Sequence, residues 1–219
     1  EAAGDYSGNA VSFSSDGSRV AIGAGDNDDG GSNAGQVRVY NLFSGNWGQV
    51  GSDINGRAAG DVSGDSLSLS SDGSLVAIGA QGGSSGGLMF NGYTRVFTLT
   101  GGNWVQVGSD INGGSGFEFS GVEVSLSANG SRVAISATSN SDAAFYGGQV
   151  VVYGWTGTAW VQEGSDINGE AAYDQSGSSV ALSSDGSRVA IGAAYNDGTG
   201  SSAGHVRVFD LTGGAWVQA

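Results

Sequence analysis

One segment, SSDGSRVAIGA, occurs four times in this chain with small changes, and the copies end at Ala24, Ala80, Ala137 and Ala193. An Asp-Gly or Asn-Gly pair lies in every copy, and successive pairs are 56, 57 and 56 residues apart. Self-similarity at a constant spacing is typical of repeat architectures, and it constrains the fold more than any other feature of the sequence. The chain is therefore predicted to consist of four equivalent structural units.

Each unit contains several short stretches that alternate apolar and polar residues. In the last copy the predicted strands are Ser179–Ser183, Arg188–Ala193, His205–Phe209 and Ala215–Gln218. Period-2 alternation marks strands with one face toward a core. The Asp-Gly and Asn-Gly pairs are strong hairpin signals and predict type I′ turns between the first two strands of each unit.

Trp47, Trp104, Trp160 and Trp216 follow the same period, with spacings of 57, 56 and 56 residues. A period near 55 with four short strands predicts propeller blades. The predicted fold is all-β: one β-propeller domain over 1–219, with four four-stranded antiparallel blades at 1–56, 57–113, 114–169 and 170–219. A closed ring of four is favoured, and the alternative is a four-blade segment of a larger propeller or array.

Composition narrows the classes of partner. The 219 residues carry a formal net charge of −14, with seven basic residues against 21 acidic ones. Nucleic acids and anionic membrane surfaces attract basic proteins, so binding to nucleic acid is not expected. No apolar run approaches the roughly 20 residues of a membrane helix, so membrane insertion is not expected either. The chain has no Cys, which excludes disulfides and thiol catalysis.

The blade sequence W-V-Q-x-G-S-D-I-N-G, followed by S-S-D-G-S-R-V-A-I-G-A and then A-G-H-V-R-V-F, resembles a known family of repeats. It is similar to the FG-GAP-like repeats of integrin-α-type β-propellers. It is most similar to the tandem surface-protein repeats of marine bacteria and microalgae. The resemblance implies a propeller at the cell surface or outside the cell, in a family that usually has six to eight blades.

Variation between the repeats is concentrated in the loops at one end of the predicted blades. These loops connect the second strand to the third, and the fourth strand to the next blade. Binding residues are often found in loops carried by a rigid scaffold. The loops at this end of the blades are rich in aromatic residues. The candidate ligand-binding residues are Tyr6, Met89, Phe90, Phe117, Phe145, Tyr146, Tyr173 and Tyr195. The alternative is that these side chains pack over the blade ends.

Calcium is the one cofactor that the resemblance implies, because integrin-type blades hold Ca²⁺ in acidic loops. Clustered carboxylate and carbonyl oxygens suit this ion. Asp26, Asp28 and Asp29 form the densest acidic loop and are the candidate ligands. A solvated acidic turn is the alternative interpretation.

Nothing in the sequence has the pattern of a catalytic triad, since His205 is the only histidine. The acids that recur in every repeat suggest structural roles, because catalysis needs a single copy. The chain is therefore predicted not to be an enzyme. The predicted function is a non-catalytic extracellular or cell-surface adhesion module that binds a glycan or a protein. The alternatives are a structural unit of a surface filament, whose partners are other copies of itself, and an enzyme with an axial pocket.

Overall fold

The computed structural model describes residues 2–219, and within them the chain forms four antiparallel β-sheets and no helix. It therefore contains no helix that could cross a membrane. The all-β propeller arrangement predicted from the repeats is confirmed. The first sheet consists of strands β1 (Ala10–Phe13), β2 (Arg19–Ala24), β3 (Gln36–Phe43), β4 (Asn46–Gln49) and β5 (Ile54–Asn55).

The other three sheets repeat this plan. The second contains β6 (Ser63–Leu69), β7 (Leu75–Ala80), β8 (Tyr93–Thr100), β9 (Asn103–Gln106) and β10 (Ile111–Asn112). The third contains β11 (Val124–Leu126), β12 (Arg132–Ala137), β13 (Gln149–Trp155), β14 (Trp160–Gln162) and β15 (Ile167–Asn168). The fourth contains β16 (Ser179–Leu182), β17 (Arg188–Ala193), β18 (His205–Thr212) and β19 (Ala215–Gln218).

In each sheet the first four strands pair in chain order. In the first three sheets an additional two-residue strand of sequence Ile-Asn also pairs with the third strand. Those three sheets therefore have five strands where the sequence predicted four. The first strands, β1, β6, β11 and β16, lie next to one another from sheet to sheet and form the inner edge.

The sheets pack face to face, and a hydrophobic cluster fills each space between neighbours. Between the first and second sheets, Val37 and Val39 pack against Val76 and Ile78. Equivalent clusters lie between the second and third sheets and between the third and fourth. Burying one such side chain contributes about 1.5–3 kcal/mol, so these three clusters hold the array together.

Small residues on the second strand of each sheet allow this close approach. A Cβ atom on Gly23 would lie 1.9 Å from the carbonyl oxygen of Gly64 in the next sheet. A Cβ atom on Gly79 would lie 2.1 Å from the carbonyl oxygen of Gly121. Any side chain at either position would force the neighbouring sheets apart.

The turn between the first two strands differs from the prediction. Gly17 is left-handed, with φ +70°, but Asp16 is not, and the Gly17 N–H donates to the Ser14 carbonyl at 2.9 Å. This geometry is a type I turn followed by a left-handed glycine, so the predicted type I′ turn is wrong. The Asp16 carboxylate explains the difference, because it accepts hydrogen bonds from the Ser14 hydroxyl and the Ser18 N–H.

The ring of sheets is open. The first and fourth sheets each leave one apolar face exposed, with Val11 54%, Phe13 56% and Val206 67% accessible. The favoured closure of four blades into one ring is therefore wrong. The described residues form an arc of four propeller blades with two free end faces.

Candidate active site at the inner edge of the arc

A β-bulge distorts the beginning of β6, on the inner edge of the second sheet. Ser63 pairs with Ala80 and Ser66 with Gly79, so Gly64 and Asp65 are extra residues between two adjacent pairs. Gly64 adopts the positive φ of +97° that this bulge requires. Bulges redirect side chains and are common beside active sites. Here the bulge places the half-buried Asp65 at the loop-bearing end of the inner strands.

Two amide groups hold the Asp65 carboxylate. The Asn9 side chain, from the start of the first sheet's inner strand, donates to Oδ1. The Gln81 side chain, directly after β7, donates to Oδ2. The carboxylate is therefore held by donors from its own sheet and from the preceding one.

A second carboxyl group, that of Glu123, approaches from the third sheet. Glu123 is half-buried and directly precedes β11, and its backbone is fixed by Ser136, whose hydroxyl accepts the Glu123 N–H at 3.0 Å. Burial raises the pKa of the Glu123 carboxyl, and the negative charge of Asp65 raises it further. A carboxyl with a raised pKa beside a second carboxylate is a common arrangement in general acid–base catalysis.

Both acids occur in a single repeat, and that is why repeat-based reasoning missed them. Asn9, Val122 and Ser178 occupy the position of Asp65 in the other copies. Ala10, Ser66 and Ser179 occupy the position of Glu123. The signal in the sequence was that an acidic residue replaces the repeat's usual residue type at two positions. Such single replacements fit a candidate active site, because an active site needs only one copy of its residues.

The acidic residues that recur in all four repeats have a different role from Asp65 and Glu123: their carboxylates link neighbouring loops by hydrogen bonds. Asp5, Glu118 and Asp174 are buried, and each accepts a hydrogen bond from an Asn side chain 22 residues later, at 3.0, 3.0 and 2.9 Å. In the second repeat Gly83 replaces that Asn, and the Tyr93 hydroxyl donates to Asp61 at 2.7 Å. Burial, followed by this hydrogen bond, raises the pKa of Tyr93 to about 12.

Six of the eight predicted ligand-binding residues lie in two exposed groups on the same loop-bearing end. Phe90 packs against Phe117 and Phe119 at ring distances of 5.8 and 5.9 Å, and the Met89 carbonyl accepts the Phe117 N–H. Phe145, Tyr146 and Tyr173 form the second group, with ring distances between 4.7 and 6.2 Å. Each group joins loops of two adjacent sheets.

The remaining two, Tyr6 and Tyr195, are 71% and 53% exposed and take part in no ring pair within residues 2–219. Phe90, Phe117, Tyr146 and Tyr173 all have positive φ. Non-glycine residues in this region carry backbone strain, which is frequent at functional sites. A binding role for the eight residues stays a prediction.

Two of the three candidate calcium ligands form hydrogen bonds within the protein. The Asp28 carboxylate accepts the Asn33 N–H at 2.8 Å, and the Asp29 carboxylate accepts the Gln36 side chain at 3.2 Å. Asp26 is half-buried. Among the residues that the structure describes, no group of three acidic or His side chains could hold a metal ion. Calcium binding at Asp26, Asp28 and Asp29 stays a prediction.

No protein-family model matches this sequence, and no curated protein matches it. Many solved structures share its fold, and two of them carry lactonase names. The periplasmic gluconolactonase PpgL of Pseudomonas aeruginosa superposes with a TM-score of 0.62 at 16% identity, covering 96% of this chain and 55% of that one. A putative 6-phosphogluconolactonase from Bacteroides uniformis superposes with a TM-score of 0.54 at 11% identity, covering 96% of this chain and 70% of that one.

At these identities the likeness establishes the propeller fold alone. The neighbours are nevertheless named as enzymes, which contradicts both the predicted non-catalytic adhesion module and the prediction that the chain is not an enzyme. The alternative of an enzyme with an axial pocket agrees better with these names. The resemblance to integrin-type repeats and the location at the cell surface stay predictions.

Proposed function

We propose that this chain hydrolyses a neutral sugar lactone at the Asp65–Glu123 carboxyl pair. The observation that carries the proposal is the raised pKa of Glu123 beside the amide-held carboxylate of Asp65. The names of the two fold neighbours suggest the reaction class, which is ring-opening hydrolysis of a lactone.

The Glu123 carboxylate acts as the general base. It takes a proton from the water molecule whose oxygen attacks the lactone carbonyl carbon. The bond between that carbon and the ring oxygen then breaks, and Glu123 returns the proton to the ring oxygen. One water molecule is consumed, and a hydroxy acid is released. Asp65 accepts a hydrogen bond from a substrate hydroxyl and so orients the sugar.

Charge supports a substrate without phosphate. The chain has seven basic residues, all of them Arg, and a net charge of −14. The site itself consists of two carboxyl groups with amide neighbours, which would repel a phosphate dianion. The aromatic groups at Phe90 and Phe145 offer apolar faces on which a sugar ring stacks. A neutral lactone therefore suits this end of the molecule better than a phosphorylated one.

Hydrolysis of δ-gluconolactone, followed by proton release above the spontaneous rate, tests the proposal. Glu123→Gln should lower kcat/KM by about 100-fold or more, the usual contribution of a general base. Asp65→Asn should lower it by about 10-fold, mainly through KM. In the unaltered protein the rate should rise with pH through the raised pKa of Glu123.

The matched control is Asp185→Asn at the opposite end of the blades. The third repeat already carries Asn129 at this position, with the same hydrogen bonds to the turn. This variant should keep the full rate. Full activity in Glu123→Gln would overturn the assignment, and equal rates on 6-phosphogluconolactone would overturn the substrate preference.

A further inference from the structure

The first sheet packs against the second sheet on one face only. Its other face is an apolar surface with no sheet against it. Val11, Phe13, Val20, Ile22, Tyr40 and Trp47 line a shallow depression of about 420 Å³ there, which we call the front face. Trp47 is 45% exposed, and its ring lies beside that of Phe13 at a centroid distance of 6.1 Å. Contiguous exposed apolar surface is typical of interaction sites.

The same positions are covered in the second sheet. Leu69, Val76, Ile78 and Phe97 are all less than 9% exposed, and they pack on the first sheet. The surface that receives them consists of Ala21, Val37, Val39 and Ile54. In this molecule a front face is therefore covered by the back of another blade of the same type.

The fourth sheet has an uncovered back. Val206, which occupies the position of Val37, is 67% exposed, whereas Val37 is fully buried. Ala190 and Val208 are half-buried, whereas Ala21 and Val39 are 0% and 1% exposed. Gly192 meets no atom of another sheet where a Cβ would lie. Ala190, Gly192, Val206 and Val208 form what we call the back face.

Polar groups at the two faces also match. At each internal junction the Trp indole N–H donates to a carbonyl of the preceding sheet: Trp104 to Val50, Trp160 to Val107 and Trp216 to Glu163, at 2.8–2.9 Å. The turns add a backbone bond, such as Ser15 N–H to the Ser71 carbonyl at 2.8 Å. Trp47 at the front and the Ala219 carbonyl at the back are the corresponding donor and acceptor.

We propose that two copies of this chain bind each other head to tail, the front face of one against the back face of the other. The junction would repeat an interface that the chain already forms three times. It is heterologous, so the pair retains one free front face and one free back face unless the assembly closes into a ring. The charge of −14 on each copy opposes association, so added salt should strengthen it.

Mass in solution, measured by light scattering after gel filtration, tests the proposal. The unaltered chain should show a multiple of 21.6 kDa, with a fraction that rises with concentration and with NaCl. Phe13→Glu blocks the front face and Val206→Glu blocks the back face. Because every junction needs one face of each kind, each variant alone should be monomeric.

Mixing the two variants is the decisive measurement. The intact back face of the Phe13→Glu chain can bind the intact front face of the Val206→Glu chain, once and no further. An equimolar mixture should therefore give a species of twice 21.6 kDa. Phe43→Glu is the control, because this 66% exposed aromatic residue lies three residues after Tyr40 and points to the other side of β3.

Two results would overturn the proposal. One is a measured mass of 21.6 kDa for the unaltered chain at its highest soluble concentration in 1 M NaCl. That result would show that the two faces do not bind each other. The other is a Val206→Glu variant that still dimerises alone, since that would indicate pairing of two front faces. Circular dichroism confirms folding, and Val11→Glu provides an independent block of the front face.

Discussion

The space between the first and second sheets is filled by an arginine, whereas the space between the second and third sheets is not. Arg95 is 8% exposed, and its guanidinium donates to the Asn55 carbonyl at 2.6 Å and lies over the Phe97 ring at 5.1 Å. Arg207 makes the same contact between the third and fourth sheets, donating to Asn168 at 2.6 Å. The third repeat has Val151 at this position.

The consequence is an additional cavity. Grooves of about 210 and 260 Å³ lie beside Trp104 and Trp160 at both spaces, in equivalent places. The space with Val151 has in addition an inner cavity of about 170 Å³, and Glu118, Gln149 and Tyr153 are among its lining residues. Two positions therefore distinguish the spaces: Arg95 and Tyr93 in the second sheet correspond to Val151 and Gln149 in the third, and the Tyr93 hydroxyl also donates to the Asp61 carboxylate at 2.7 Å.

Arg95→Val should produce the largest effect, because it empties the part of the space that the guanidinium fills. It removes the hydrogen bond to Asn55, exposes the Phe97 ring and leaves a cavity. We expect a loss of about 2–3 kcal/mol in the free energy of unfolding, measured by urea titration. Arg38→Val is the matched control on the free front face and should cost less. Equal losses in the two variants would contradict the explanation.

Val151→Arg is the reverse change and should have a smaller effect of the opposite sign. A guanidinium that reaches the Asn112 carbonyl would reproduce the contact made by Arg95 and would face the Glu118 and Asp166 carboxyls. We expect a gain of about 1 kcal/mol in the same titration. Val151→Met, which fills volume without a donor, separates packing from hydrogen bonding. A loss of stability in Val151→Arg would show that the cavity cannot accept the side chain.

The smallest expected effect is on the pH dependence of stability. Burial raises the pKa of Glu118 above its ordinary value of 4.5. A carboxyl with a raised native pKa contributes stability that is fully present below the unfolded pKa and is lost as pH rises through the native one. The free energy of unfolding of the unaltered protein should therefore fall more steeply above pH 4.5 than that of Glu118→Gln. Val151→Arg should flatten the same slope, and identical slopes in all three proteins would refute this role for burial.

The blades were predictable because their signals can be read directly along the chain. Alternating residues such as Val180 and Leu182 identified the strands, and the spacing of the Trp residues identified the four units. The turn type was not predictable from the Asp-Gly pair alone. The side chains of Ser14 and Asp16 hydrogen-bond within the turn and stabilise a different backbone.

The sequence by itself determined that there are four blades with an all-β fold, because each blade repeats the same short-range pattern. Only the tertiary structure showed that Glu123 lies half-buried near Asp65, 58 positions away in the chain, whose charge adds to the rise in the pKa of Glu123 that burial causes. Only the tertiary structure showed that the first and fourth sheets do not meet. The bulge in β6 places Asp65, and the angle between successive sheets determines whether the ring closes. The pattern within a single repeat sets neither of these features.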